Sequence, residues 1–311
     1  MVAGFLLAAY SVVGNDVIQT LGTFLSSNKE RPWWVLWLFT GSILTIVLLY
    51  GWYAYNGDVS HGRLEKVGDL PSPFHWWYIL PPLVLMIITR FGIPVSTTFL
   101  IISVFQTKLI ESMLIKSISG YIVAFFAAIL VYLIASKPLE KKFINTPITS
   151  SQKRIWTVLQ WLSTGFLWSQ WLIQDLANIY IYLPRQLDLQ YIIFSLVALL
   201  GLQAFIFYNK GGEIQKIVTS KTNTTDIRSA TIIDFIYGIV LLVFKEYSKI
   251  PMSTTWVFIG LLAGRELMLT QQLNLKSLVE VTRLVLKDFF KVALGLAVSV
   301  ALVLIIRTLQ G

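Results

Sequence analysis

Two aspartates stand inside long apolar stretches of this sequence, Asp16 near the start and Asp175 near the middle. A carboxylate at the centre of a membrane costs at least about 2.5–3.5 kcal/mol, so a cation, a proton or a basic partner must compensate. Each aspartate has amide neighbours, whose oxygens suit Na⁺, while a protonatable carboxyl group suits H⁺. The alternative is a polar pair between helices that binds no ligand. The predicted cation-binding residues are Asn15, Asp16, Gln19, Gln174, Asp175 and Asn178, with Asp16 and Asp175 as the direct ligands of a metal ion such as Na⁺.

A second motif, Pro-x-Ser-Thr-Thr, also occurs twice, at 94–98 and 251–255 and each time after an isoleucine. Proline is compatible with the first turn of a helix, and a serine or threonine caps the unpaired N–H groups there. A helix N-terminus in an apolar setting attracts an anion, and hydroxyl groups add further donors. Ordinary helix capping without a ligand is the alternative. The predicted anion-binding residues are Ser96, Thr97, Thr98, Ser253, Thr254 and Thr255.

The two motifs recur in the same order and at nearly the same separation. Asp16 to Pro94 is 78 positions, and Asp175 to Pro251 is 76. Such paired spacing indicates a duplication, which divides the chain into a first repeat at 1–146 and a second repeat at 147–311. If each half crosses a membrane five times, the halves insert in opposite orientations. That inverted-repeat arrangement is typical of secondary transporters, whose binding sites lie near the midplane.

The composition predicts an all-α integral membrane protein. Of the 311 residues, 56% are hydrophobic and 13% are charged, and the mean hydropathy is +0.70, far from a soluble domain. The absence of cysteine excludes disulfides and thiolate sites, and two histidines are too few for most zinc or haem chemistry. The net charge of +9 does not indicate nucleic-acid binding, because the basic residues lie between apolar runs, as in positive loops.

About ten apolar runs approach the roughly 20 residues that a transmembrane helix needs. The runs at 95–113 and 252–270 are the weakest, and each could be a half-helix or part of a re-entrant hairpin. Basic residues at 137–154 and 209–228 place these stretches in the cytoplasm and both termini outside. The plasma (cell inner) membrane is the default location. The ten runs are 2–25, 33–55, 74–91, 95–113, 116–136, 155–182, 190–208, 229–247, 252–270 and 288–306.

Three further charged residues lie near these motifs or within an apolar run. Arg90 could guide an anion, and Asp234 or Glu246 could take part in ion coupling. Placement at the membrane interface, or a structural ion pair, is the favoured interpretation of all three.

With these residues in view, the chain resembles the inorganic phosphate transporter (PiT) family. The resemblance is carried by the segments at 14–19 and 174–178, by the two Ser-Thr-Thr motifs, and by Thr40-Gly41-Ser42. It covers most of the chain in order. The chain departs from the family pattern at Gln19 and Gln174, where the family usually has asparagine, and at Leu38, where it has an acidic residue. Phe99 and Trp256 stand where a histidine often follows Ser-Thr-Thr. These departures leave the anion and the coupling stoichiometry open.

The resemblance implies a symporter that takes up an inorganic oxyanion by alternating access, coupled to Na⁺ or H⁺. Phosphate is the expected anion, and an H⁺-coupled permease for sulfate or another tetrahedral oxyanion is the alternative. The expected partners are phosphate, Na⁺ or H⁺ and the lipid bilayer, without nucleic acid, and a homodimer is one option. No cofactor is expected beyond the co-transported ion. An enzyme is disfavoured because no catalytic spacing appears, and a passive channel or scaffold would not need the duplicated polar motif.

Overall fold

The computed structural model describes residues 1–91, 93, 95–135, 139–211, 215–220, 224–247, 250–273 and 277–310. Pro94, which belongs to the first Pro-x-Ser-Thr-Thr motif, lies outside these residues. The part of the chain so described is helical and contains no strand. Its helices are α1 Val2–Val12, α2 Ile18–Ser27, α3 Trp33–Ala54, α4 Leu80–Arg90, α5 Thr97–Phe105, α6 Ile110–Ala135, α7 Lys141–Asn145, α8 Ser150–Asp175, α9 Ala177–Tyr180, α10 Leu189–Tyr208, α11 Gln215–Thr219, α12 Ile227–Tyr247, α13 Thr254–Leu273 and α14 Leu278–Gln310.

Six helical stretches among the described residues are long and apolar enough to cross a membrane, which makes this chain a membrane protein. A shorter apolar stretch, Trp76–Arg90, joins a 3₁₀ turn to α4. The six stretches are Val2–Ser27, Trp33–Ala54, Thr107–Ile134, Leu189–Tyr208, Ile227–Tyr247 and Val279–Thr308.

The structure explains why the runs at 95–113 and 252–270 are the weakest candidates for transmembrane helices. The run at 95–113 is divided, because α5 ends at Phe105 and α6 begins at Ile110. With nine residues, α5 is about 14 Å long at ~1.5 Å per residue, half the hydrocarbon thickness of about 30 Å. The run at 252–270 is α13, whose residues are almost all buried within the protein. The half-helix expected as one option is therefore present at α5.

Buried charges in α13 are compensated by neighbouring side chains. Arg265 lies 3.3 Å from Glu266 and 3.6 Å from Glu140, which follows α6. The guanidinium also lies over the ring of Tyr132, 5.3 Å from its centroid. Because all of these side chains are buried, the charges in this helix face protein rather than lipid.

Small residues let α13 approach α6 closely. A Cβ added at Gly260 would lie 2.5 Å from the carbonyl oxygen of Tyr121, and one at Gly264 would overlap the carbonyl oxygen of Phe125. Glycines four positions apart are a frequent device for close helix contacts in membranes. This contact fixes α13, and with it the second Ser-Thr-Thr motif, against α6.

Candidate functional site

Both aspartates lie where a helix is irregular. Asp16 is part of the π-helical segment Val13–Val17, which joins α1 to α2. Asp175 is the last residue of α8, and Leu176 separates it from the short helix α9. Irregular turns of this kind are frequent at functional sites, because they alter the local hydrogen-bond ladder and redirect side chains.

The Ser-Thr-Thr motifs begin helices, as the sequence predicts. The Ser96 hydroxyl accepts a hydrogen bond from the backbone N–H of Phe99 at 3.3 Å, at the start of α5. The Ser253 hydroxyl accepts one from Trp256 at the same distance, at the start of α13. Pro251 precedes this cap by two residues and lies outside the helix, so the serines rather than the proline define the helix starts.

Asp16 accepts hydrogen bonds from both halves of the chain. Thr97 donates to Oδ2 at 2.6 Å, and Thr255 donates to Oδ1 at 3.4 Å. The side-chain amide of Asn15 also donates to Oδ1, at 2.7 Å. Both oxygens of this buried carboxylate are therefore engaged by neutral donors, and no basic side chain forms an ion pair with it in the described residues.

Asp175 contacts the other two threonines of the Ser-Thr-Thr motifs, again one from each half of the chain. Thr98, from the first half, donates to Oδ1 at 3.5 Å, and Thr254 from its own half also interacts with Asp175. Asn178, one helical turn later, donates to Oδ1 at 2.8 Å and also reaches Thr98 at 3.2 Å. The structure thus brings the two aspartates and the two helix N-termini to one place.

The same reciprocity extends to the backbone before each helix. The Thr98 hydroxyl donates to the carbonyl oxygen of Met252 at 3.1 Å, and the Thr255 hydroxyl donates to that of Val95 at 3.3 Å. Each helix N-terminus therefore contacts the chain that leads into the other one. These hydrogen bonds join the starts of α5 and α13 into one unit.

The site is sealed from solvent and rich in oxygen atoms that lack a donor. None of the twelve predicted residues is more than 4% exposed. A buried amide or carboxylate oxygen without a hydrogen bond carries a desolvation cost, and such oxygens are the ligands that hard cations prefer. The acceptor atoms without a hydrogen bond in the described part of the chain include Asn15 Oδ1, Gln19 Oε1, Gln174 Oε1, Asp175 Oδ2 and Asn178 Oδ1.

The two glutamines contribute less directly than the aspartates. The Gln174 amide group donates to the carbonyl oxygen of Leu241 in α12 at 2.9 Å, so this side chain is tied to a neighbouring helix. Neither polar atom of Gln19 makes a hydrogen bond within the described residues. Both glutamines are buried and lie within three residues of an aspartate in the sequence, but among the described residues neither forms a hydrogen bond with Asp16 or Asp175.

Residues that the sequence did not indicate also support the site. Ser117 in α6 accepts a hydrogen bond from the backbone N–H of Ser253 at 2.8 Å, and Lys116 donates to the carbonyl oxygen of Ile250 at 2.6 Å. Tyr237 in α12 donates to the carbonyl oxygen of Thr254 at 3.0 Å. Lys116 begins the apolar run at 116–136, which marks it in the sequence, but the sequence alone did not say which segment this side chain reaches.

Arg63 is a second cation near the site. It lies in the loop after α3, is 2% exposed, and interacts electrostatically with Asp175 and Glu246. Burial lowers the pKa of this guanidinium to about 10, although the two carboxylates oppose the shift. The sequence offered no reason to separate Arg63 from the other basic loop residues, because its burial depends on the tertiary fold.

The three further charged residues have separate surroundings. Arg90 is exposed at the end of α4, and Glu246 is exposed and lies 3.0 Å from Lys245, which fits the structural interpretation of both. Asp234 is buried and accepts hydrogen bonds from the hydroxyls of Thr23 and Thr164, the latter at 2.5 Å. Within the described part of the chain, Asp234 forms no direct hydrogen bond with either Ser-Thr-Thr motif.

No protein-family profile matches the chain, and no curated protein matches its sequence. A solved structure described as the sodium-dependent phosphate transporter is similar to it, with a TM-score of 0.60. The similarity covers 99% of this chain and 98% of that one, at 15% sequence identity. Because the match spans nearly the whole of both chains, this membrane protein has the fold of that sodium-dependent phosphate transporter.

Proposed function

We propose that this chain is a secondary active transporter that moves inorganic phosphate across the plasma membrane together with Na⁺. The observation that carries the proposal is the meeting of two aspartate-bearing helix breaks with two Ser-Thr-Thr helix N-termini in one sealed site. A helix N-terminus favours an anion, and buried carboxylates favour cations. The likeness in fold to a sodium-dependent phosphate transporter supports this choice of ions.

The anion would bind at the starts of α5 and α13. Backbone N–H groups at these starts and the hydroxyls of the two motifs supply donors for the oxygens of a tetrahedral anion. The hydroxyls of Thr97, Thr98 and Thr255 can rotate to donate to an anion instead of to their present acceptors. The Ser96 and Ser253 hydroxyls accept as helix caps, and each still carries a proton that it can donate. The proposed anion ligands are Ser96, Thr97, Thr98, Ser253, Thr254 and Thr255.

The cations would bind beside the anion, at the two aspartates. Asp175 Oδ2 and the amide oxygens of Asn15 and Asn178 have no donor in the described residues, which suits oxygen-coordinated Na⁺. The two carboxylates also interact unfavourably with each other, and a bound cation relieves that repulsion. Gln19 and Gln174 complete the proposed set with their buried amide oxygens.

In this proposal, charge balance at the site couples the transport of the anion to that of the cation. An anion in a buried site is costly without positive charge nearby, and a cation there is costly without negative charge. Together they approach neutrality, so the loaded site can exchange between the two sides by alternating access. The low exposure of every proposed ligand fits an occluded arrangement from which each side would open in turn.

The proposal includes two inverted repeats, 1–146 and 147–311, that together cross the membrane ten times, with both termini outside. The reciprocal hydrogen bonds support the duplication, because Asp16 contacts Thr97 and Thr255 while Asp175 contacts Thr98. The helix break at each aspartate supports it too, since discontinuous helices at the repeat interface are usual in such transporters.

Uptake of labelled phosphate into proteoliposomes tests the proposed function. An inward Na⁺ gradient is expected to drive accumulation that excess sulfate does not erase. Accumulation driven only by a proton gradient, or erased by sulfate, would favour the H⁺-coupled oxyanion permease instead. Equilibration without accumulation would indicate a passive channel, and no uptake of either anion would reject the transport of both.

A further inference from the structure

Arg63 is a buried arginine whose guanidinium makes no hydrogen bond or ion pair in the described part of the chain. Its Nη1 atom is buried without a partner, and the side chain is 2% exposed. An arginine keeps its charge in proteins, so a guanidinium in this position is costly unless an anion balances it. Asp175 and Glu246 act on Arg63 only through electrostatic interaction, so within the described residues this positive charge has no direct hydrogen-bonded or ion-paired partner.

The loop that carries Arg63 is held by a network of hydrogen bonds. Asp58 accepts hydrogen bonds from the backbone N–H groups of Ser60 at 2.7 Å and Gly62 at 2.9 Å. Arg185, from the segment after α9, donates to the carbonyl oxygen of Gly68 at 2.8 Å. The residues on both sides of Arg63 are thus fixed, which places its side chain inside the protein.

The surroundings of Arg63 connect it to the second helix N-terminus. Arg63 interacts electrostatically with Asp175, and it raises the positive potential at Lys116. Lys116 in turn bonds to the carbonyl oxygen of Ile250, and Ser117 accepts from the backbone of Ser253. Lys116 therefore contacts the segment that leads into α13, and Arg63 lies close enough to Asp175 and Lys116 for their charges to interact. A buried guanidinium and a helix N-terminus both favour an anion.

We propose that Arg63 is an anion-binding residue that also makes cation binding depend on the anion. This inference rests on the proposed function and identifies a fixed positive charge for the transported oxyanion. The planar guanidinium can hold two oxygens of a phosphate group at once. Before the anion binds, Arg63 weakens the attraction of Asp175 for a cation. An anion on Arg63 neutralises that effect, so the cation binds tightly only after the anion.

The test compares Arg63→Gln with Lys66→Gln, which removes a charge from the exposed face of the same loop. Phosphate KM is measured in proteoliposomes, and Na⁺ affinity is measured on purified protein without phosphate. Arg63→Gln is expected to raise the phosphate KM at least about tenfold, the scale of one lost charge-assisted hydrogen bond. The same variant is expected to bind Na⁺ more tightly without phosphate. Lys66→Gln is expected to change neither quantity by more than about twofold, as a solvent-exposed charge.

Opposite shifts in the two affinities separate this role from a structural one. A folded Arg63→Gln variant that weakens both ions together, or changes neither, would overturn the proposal while leaving phosphate transport in place. A wild-type protein that neither transports nor binds phosphate would overturn the proposed function as well. If Arg63→Gln does not fold, Arg63→Lys decides, because it keeps the charge and loses the planar fork. It is expected to raise the phosphate KM severalfold with Na⁺ affinity unchanged, and an unchanged KM would overturn the proposal.

Discussion

Replacing Asp175 by asparagine removes the charge of a buried carboxylate, one of whose oxygens accepts no hydrogen bond within the described residues. Its Oδ1 accepts hydrogen bonds from Asn178 at 2.8 Å and Thr98 at 3.5 Å, while Oδ2 has no donor in the described residues. Loss of one partner from a buried ion pair costs about 3–5 kcal/mol. At about 1.4 kcal/mol per tenfold, Asp175→Asn is expected to weaken Na⁺ binding by about 100-fold to a few thousand-fold.

The same substitution is expected to leave the protein folded when Na⁺ is absent. Asparagine relieves the desolvation of a buried carboxylate, so the variant without Na⁺ is expected to be at least as stable as the wild type. The wild type gains stability from Na⁺ according to the ratio of its concentration to its Kd, and the variant loses that gain. Tryptophan fluorescence during thermal unfolding, in Na⁺ and in choline with phosphate present in both, measures both effects.

A matched control is available at Asp188, the exposed N-cap of α10, which accepts from the backbone of Tyr191. Asparagine caps helices about as well as aspartate, so Asp188→Asn is expected to keep the full Na⁺ response. An Asp175→Asn variant whose unfolding midpoint still rises with Na⁺ as in the wild type would refute the assignment of Asp175 to the cation.

Three other expectations follow from the structure. Asp16→Asn is expected to abolish concentrative phosphate uptake, and full Na⁺-dependent uptake in this variant would contradict its role. Gly260→Ala places a Cβ 2.5 Å from the Tyr121 carbonyl oxygen, whereas the Cβ of Gly201→Ala meets nothing within 4 Å. Gly260→Ala is expected to lower the free energy of unfolding by about 1–3 kcal/mol and Gly201→Ala to change it little, and thermal unfolding measures both. Burial lowers the pKa of His61, so stability is expected to fall as pH drops below about 6.5, the value in an unfolded chain. His61→Gln is expected to flatten that dependence, and an unchanged pH profile would contradict it.

Features set by local sequence were accessible to sequence analysis. The starts of α5 and α13 follow from Ser96 and Ser253, because helix capping depends on residues within one turn. The two aspartates stand out because a charge within an apolar run is unusual. The repeated spacing of the motifs then groups them into one expected site, and the structure brings these residues together.

Features that depend on distant partners could not be predicted. The hydrogen bond from Thr255 to Asp16 joins residues 239 positions apart. The charge of Arg265 made the run at 252–270 a weak candidate for a membrane helix. Its partner Glu140 lies in a separate segment, so the sequence could not show that this charge is compensated. Arg63 looked like an ordinary basic loop residue, since only the tertiary fold shows that its side chain is buried.

The central claim is that one site holds the anion and the cation together. Isothermal titration of purified protein with phosphate, at low and high Na⁺, and with Na⁺, at low and high phosphate, tests it most directly. Linkage requires that each ion raise the affinity for the other by the same factor. We predict a factor of at least about fivefold, typical of coupled sites, that disappears in Asp175→Asn. Phosphate and Na⁺ affinities that are independent of each other in the wild type would contradict the shared site.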